Sequence, residues 1–191
     1  NALVTLGKQR DPYLSSPAGA LYVADLLRLF STQSDILMAN HWSLIGNWHF
    51  GAIGNSGKLR PVYHVLKAYR ELLRGQHVGI EVSSRTFSAP KIGLIRAGSS
   101  FASVTATATR ENSRLRVVLI NKDPVAKAKV SLRLGNAGKL KAISERALQA
   151  SSRFADAEQV NAFEIRKRGE SPETGRFETT LAPASMSLFD F

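Results

Sequence analysis

The residues of this chain with the greatest scope for chemistry crowd into one short stretch. Asn40, His41 and Trp42 stand together, and Trp48, His49 and Phe50 come six residues on. Amides, imidazoles and indoles hydrogen-bond and present flat apolar faces; none of them is a strong nucleophile here. His41 and His49 invite a reading as a metal pair. They are eight residues apart across a glycine-rich loop with no acid beside them, which is not the ligand spacing of a zinc site, so no metal and no cofactor are expected. The chain has no cysteine. Disulfides, thiolate nucleophiles and Cys-ligated zinc are therefore excluded.

These residues need a scaffold, and the flanking sequence supplies one. Residues 36–50 read I-L-M-A-N-H-W-S-L-I-G-N-W-H-F, an apolar run that opens after Ser34-Asp35 and turns polar and aromatic at Asn40. A short continuous apolar run between turn signals reads as a strand buried on both faces. Polar and aromatic residues at the C-terminal end of such a strand lie where parallel α/β proteins build their sites. Before it, helical periodicity starts near Ala18, with Leu21, Ala24 and Leu27 on one face and Ser31-Thr32-Gln33 closing the segment. After it come Gly46, Gly51, Gly54 and Gly57, with no G-K-[ST] to make a phosphate loop. Pro61 then opens a second helix, in which Val62, Val65, Leu66, Tyr69, Leu72 and Leu73 recur at helical spacing. Arg70 and Arg74 near its end and Gly75 just beyond suit a helix C-terminus. His64, Tyr63 and Tyr69 fall among these packing positions and read as structural.

From about His77 the period changes to two. Val78, Ile80 and Val82 alternate, as do the two faces of residues 101–108. Residues 115–120 form a buried run ending at the turn Asn121-Lys122-Asp123-Pro124, and residues 130–134, 140–148, 163–166, 177–181 and 186–191 add further candidates. That is about eight strands at sandwich spacing. The last, carrying Met186, Leu188, Phe189 and Phe191, reads as the strand that closes the sheet. The expected organisation is an incomplete α/β barrel segment over residues 1–76, succeeded by an all-β antiparallel sandwich over residues 77–191.

The first part cannot stand alone. A strand buried on both faces needs hydrogen-bonded neighbours on each side, and buried unpaired backbone groups would cost about 1–3 kcal/mol each. The missing strands are expected in another polypeptide or upstream in the same one. The chain starts at Asn1 without Met, so translation is expected to begin further upstream. No run approaches the roughly 20 apolar residues of a membrane span, and no signal-peptide pattern opens the segment, which leaves cytoplasmic and secreted settings both open. The net charge is +11. It is spread out: eight basic and four acidic residues up to Gln76, eighteen and eleven beyond it. With no basic run interleaved with aromatics, this reads as solvated surface and not as a nucleic-acid interface.

Three stretches with a sandwich behind them resemble a known family. A-L-Y-V-A-D-L-L-R-L-F over residues 20–30, M-A-N-H-W-S-L over 38–44 and R-P-V-Y-H-V-L-K-A-Y over 60–69 resemble the C-terminal portion of α-L-arabinofuranosidases of glycoside hydrolase family fifty-one and their clan A relatives. The resemblance implies the seventh helix, eighth strand and eighth helix of a (β/α)8 barrel, the last helix-strand-helix of a TIM barrel, with a β-sandwich after it. It also implies two catalytic glutamates, at the ends of the fourth and seventh strands. Asn1-Ala2-Leu3 is similar to the residues immediately C-terminal to the second glutamate in that family. The nucleophile is therefore expected just before Asn1, and no catalytic residue in this chain. Such a retaining pair stands about 5–5.5 Å apart; Asp25 and Glu71 lie on helices and cannot form one.

What the resemblance leaves to this chain is the wall of a sugar site. Trp42 matches the tryptophan that packs against a sugar's C–H face in clan A barrels, with a core tryptophan as its alternative. Asn40 and His41 would hydrogen-bond hydroxyls, and Trp48, with His49 and Phe50, would shape outer subsites. Alternation along the strand points Asn40 and Trp42 one way and His41 the other. The family pattern at this position often carries Gln, a departure here. Three functions are compatible with these residues. The first is the C-terminal part of an arabinofuranosidase acting on plant polysaccharides such as arabinan. The second is that of another clan A glycosidase, a xylosidase, glucanase or glucuronidase-like enzyme. The third is a non-catalytic carbohydrate-binding or structural sandwich. No Trp and no Tyr occurs after Gly75, which weakens the third and makes the sandwich a buttress. The expected partners are the rest of the barrel and a carbohydrate; self-association is left open.

Overall fold

The computed structural model describes residues 14–46, 50–91, 96–134, 144–149, 164–166 and 175–191. Helix α1 (Pro17–Ser31) starts where Ser16, in extended conformation, accepts the Gly19 N–H on its hydroxyl at 3.3 Å. Proline at the first helical position costs no hydrogen bond there, and the same device opens α2 (Pro61–Leu72). α1 buries Ala20, Leu21 and Ala24, and α2 buries Val62, Val65, Ala68, Tyr69 and Leu72. These follow the stripes that the 3.6-residue period predicts, except that Leu73 is exposed and Leu27 and Leu66 are only partly buried.

Both stripes rest on one face of a six-stranded antiparallel sheet. Its strands are β1 (Gln76–Val78), β4 (Val104–Glu111), β5 (Arg114–Asn121), β7 (Ser144–Leu148), β8 (Glu164–Arg166) and β10 (Ser185–Asp190), in the order β1-β4-β5-β10-β7-β8. Side chains alternate across a strand. Val118, Ile120, Met186 and Leu188 therefore meet the helices, while Val117, Leu119 and Phe189 form a second core on the far face. That face is covered by the two-stranded sheet of β6 (Ala128–Arg133) and β9 (Arg176–Leu181), through Phe177 and Leu181. Phe177 meets Phe189 and Phe191 edge-on, with ring centroids 5.5 and 5.2 Å apart. A separate antiparallel ribbon pairs β2 (Thr86–Ala89) with β3 (Gly98–Ala102).

Three expectations meet a different outcome. The single strand foreseen over residues 101–108 is cut at Ser103, whose N–H donates to the Arg85 carbonyl and whose carbonyl accepts from the Lys122 N–H, both at 2.8 Å. Of the alternating residues 78–82 only Val78 belongs to a strand. The final strand does not close the sheet at an edge; it is central, pairing with β5 on one side and β7 on the other.

Polar joints fix the helices to the sheet. Asp25 of α1 accepts from Arg28 Nε at 2.7 Å, from Thr105 Oγ1 at 2.9 Å and from Lys122 Nζ at 3.1 Å. Burial works to raise the Asp25 pKa, but the Arg28 and Lys122 charges and the Thr105 hydroxyl outweigh it and hold the carboxyl below its ordinary value of 3.8. A carboxyl depressed by folding stabilises the fold above its unfolded pKa, and that contribution disappears as pH falls through the lower folded value. Asp25→Asn is accordingly expected to destabilise the chain at neutral pH and to flatten the fall in melting temperature below about pH 4, measurable by thermal denaturation across pH.

At the other helix end, Thr109 Oγ1 donates to the Leu72 carbonyl at 2.6 Å. Arg116 donates to Asp190 Oδ1 at 3.1 Å, Glu111 Oε2 at 2.7 Å and the Glu71 carbonyl at 3.3 Å. Arg146 bridges Glu71 and Asp190 at 2.7 and 3.4 Å. Gly75 is squeezed between these elements: a Cβ there would stand 2.9 Å from the Arg110 backbone carbonyl. Gly75→Ala is expected to cost about 1–3 kcal/mol, since backbone must shift to admit it. A melting temperature lowered by about 2–4 °C per kcal/mol would show it.

Among the described residues the Tyr69 hydroxyl, in the core between helices and sheet, is the buried side-chain group without a hydrogen-bond partner, and burial raises its pKa far above the ordinary phenol value. Tyr69→Phe removes a desolvated hydroxyl and is expected to leave stability unchanged or raise it by up to about 1 kcal/mol, read from denaturant midpoints.

Candidate functional site

The stretch read as a buried strand is neither paired nor buried, and residues 36–41 carry no assigned helix, strand or turn. From Leu37 to Trp42 no backbone group is hydrogen-bonded among the described residues. The side chains stand in the open: Leu37 is 95% exposed, Met38 76%, Trp42 74% and Ile45 63%. None of these residues belongs to the core in which the two helices meet the sheet. Contiguous apolar exposure of this kind marks a surface that something else covers.

Beyond Trp42 the chain closes into a compact loop. The Trp42–Ser43 peptide bond is cis. Ala52 N–H donates to the Ser43 carbonyl at 2.9 Å and Ile53 N–H to the Leu44 carbonyl at 2.8 Å, while Gly46 N–H reaches the Ile53 carbonyl at 2.8 Å. Gly46 has a left-handed φ of 68°, readily adopted by a residue without Cβ. A Cβ on Gly51 would collide with the Gly46 backbone. Ala52 is fully buried and anchors the loop in the helix-side core.

Two side chains pin the loop at consecutive carbonyls. His41 Nε2 lies 3.1 Å from the Phe50 carbonyl, and Arg60 Nη1 donates to the Gly51 carbonyl at 2.8 Å. Facing a carbonyl, the His41 nitrogen carries the proton and donates. Phe50 stacks near-parallel to Trp42, with centroids 6.4 Å apart and planes at 12°. Of the residues singled out from sequence, Trp42 is thus exposed on one side and backed by Phe50, Asn40 is exposed, and His41 is turned into its own loop. Trp48 and His49 lie outside the described residues. The roles of Phe50 and Arg60 had no signal in the sequence beyond an aromatic in a loop and a basic residue before Pro61.

Other chemistry is sparse. Among the described residues no three His, Asp or Glu side chains group to hold a metal, and no helix is long and apolar enough to cross a membrane. Asp25 and Glu71 are tied up in ion pairs that join helices to sheet, and Asp190 in ion pairs between strands of the sheet. His64 is buried, and desolvation together with Lys67 lowers its pKa, in keeping with a neutral packing residue. A cavity of about 900 Å³ lies on the sheet face away from the helices, with Val104, Ala106, Val117 and Leu119 among its lining, and shares no residue with the 40–60 loop.

This arrangement is similar to part of several solved enzymes. The α-L-arabinofuranosidase of Thermotoga maritima, solved in complex with arabinose, matches 92% of this chain and 38% of its own, with TM-score 0.73 and 21% identity. The family fifty-one arabinofuranosidase of Xanthomonas axonopodis pv. citri matches at TM-score 0.76 and 19% identity, over 92% of this chain and 36% of its own. A family thirty xylanase from Clostridium acetobutylicum matches less well, at TM-score 0.60 and 14% identity, over 92% and 39%. The chain has the fold of a C-terminal portion of family fifty-one arabinofuranosidases and spans less than two fifths of their length. No protein-family model and no curated protein matches the sequence.

Proposed function

We propose that this chain is the C-terminal part of a retaining glycoside hydrolase, an α-L-arabinofuranosidase that removes arabinofuranosyl residues from plant polysaccharides. One observation carries the reading: an unpaired, exposed apolar segment that links the two helices ends at an exposed tryptophan. That is what the last strand of a parallel barrel looks like without its neighbours, because barrel strands are paired on both edges and put their sites at their C-terminal ends. On this reading residues 1–76 finish the barrel and residues 77–191 form the buttressing sandwich. The two glutamates lie outside the chain, Trp42 offers its face to the sugar, and Asn40 hydrogen-bonds a hydroxyl. The fold likeness to arabinofuranosidases supports this substrate class, and the weaker likeness to a xylanase keeps another clan A glycosidase as the second reading.

Intact mass and denaturing electrophoresis of the natural protein, then assay on p-nitrophenyl arabinofuranoside, test it. A larger polypeptide, or a second one, co-purifying with activity is expected. A single species of about the 20.8 kDa chain mass, folded and inert, would overturn it. Activity on a xyloside with none on the arabinofuranoside would favour the second reading.

A further inference from the structure

We infer that His41 is a positioning residue and not a sugar ligand: it fixes Phe50, and Phe50 fixes the plane of the Trp42 indole. The inference deepens the proposed sugar-binding role of Trp42 and rests on it for its meaning, though not for its test. Three observations converge. The His41 imidazole spends its Nε2 on the Phe50 carbonyl, nine residues away. Arg60 takes the very next carbonyl, Gly51, at 2.8 Å. The Phe50 ring then lies near-parallel to Trp42, in the range of offset aromatic stacking.

The physical consequence is a tryptophan with only one usable face. A mostly exposed indole would otherwise sample several rotamers, and holding it in one would cost binding free energy each time a sugar docked. Two pinned carbonyls remove the freedom of residues 50 and 51, so the backing ring is in place before any ligand arrives. Stacking against a C–H face needs a defined ring plane, and His41 supplies it at second hand. Arg60 works in parallel, and its main-chain N–H also donates to the Ala52 carbonyl at 2.9 Å.

The test reads Trp42 directly. In the 191-residue chain carrying Trp48→Phe, Trp42 is the remaining tryptophan, so its emission and acrylamide quenching report that ring alone. His41→Ala is expected to raise the quenching constant about twofold and to change the near-ultraviolet circular dichroism, with the far-ultraviolet spectrum unchanged. His41→Gln keeps an amide N–H able to reach the carbonyl and is expected to restore both signals. Phe50→Leu should mimic His41→Ala, since it removes the backing ring. Quenching unaffected by His41→Ala, or unaffected by Phe50→Leu, would overturn the inference, as would a His41→Gln variant no better than Ala. None of these readouts needs glycosidase activity, so the proposed function can fail while this stands. If activity is present in the longer protein, His41→Ala is expected to raise KM about tenfold with kcat little changed, and His41→Gln to recover most of it.

Discussion

Phe189→Ala is expected to cost about 3–5 kcal/mol, the largest single loss in this chain. Phe189 is fully buried near the C-terminal end of β10, the strand that lies between β5 and β7. Its ring packs at 5.5 Å edge-on to Phe177 and lies at 6.1 Å near-parallel to Phe191. Removing it opens a void that two rings and the surrounding strands cannot fill, because β10 is held by pairs on both sides. Native domains are stable by only about 5–15 kcal/mol, so the variant should be largely unfolded at modest denaturant. Urea denaturation monitored by circular dichroism would show it; a midpoint within error of the parent would mean that the two sheets are not packed through this ring.

Trp42→Ala in the longer natural protein is the second. It is expected to lower kcat/KM on an arabinofuranoside by on the order of a hundredfold, equivalent to about 2.7 kcal/mol. An indole buries roughly 150–250 Å² when covered, and alanine leaves the sugar's C–H face against water. Trp42→Phe should recover part of the loss, since it keeps a flat ring at the same position. The chain's own stability should not move, because Trp42 is mostly exposed and touches no core cluster. A loss of folding with Trp42→Ala would return the residue to the core reading; activity changed less than about twofold would remove it from the site.

How much of this could be read from residues alone varies with the kind of interaction. Pro61 starts a helix through local backbone geometry, and the stripes at Leu21 and Val65 come from the helical period; both are legible because the cause is local, whereas the sequence places the first helix's start near Ala18 and the structure at Pro17. The same holds for β5, read from sequence as a buried run over residues 115–120 and found buried from Arg116 to Asn121. The break at Ser103 was hidden, because a serine in an alternating stretch fits a continuous strand, and only partners at Arg85 and Lys122 divide it. The place of β10 was equally hidden: Leu188 and Phe189 mark a strand buried on both faces, not which strands flank it. Residues 36–42 show the limit most clearly. Their apolar pattern specifies burial, but burial needs a neighbour, and among the described residues there is none. The period of two sets His41 apart from Asn40 and Trp42 but not the carbonyl it finds, which is brought round by a loop whose closure depends on Gly46, Gly51 and Arg60 together.

The central claim is that residues 37–42 form a strand completed by neighbours outside this chain, and amide hydrogen exchange over those residues tests it most directly. In the chain alone these amides should exchange at nearly the rate of an unstructured peptide, while those of β5 and β10 are protected. In the natural protein with its upstream sequence, the same six amides should slow by on the order of a thousandfold or more, as paired barrel strands do. Fast exchange of residues 37–42 in both forms, with the upstream sequence folded, would contradict the account.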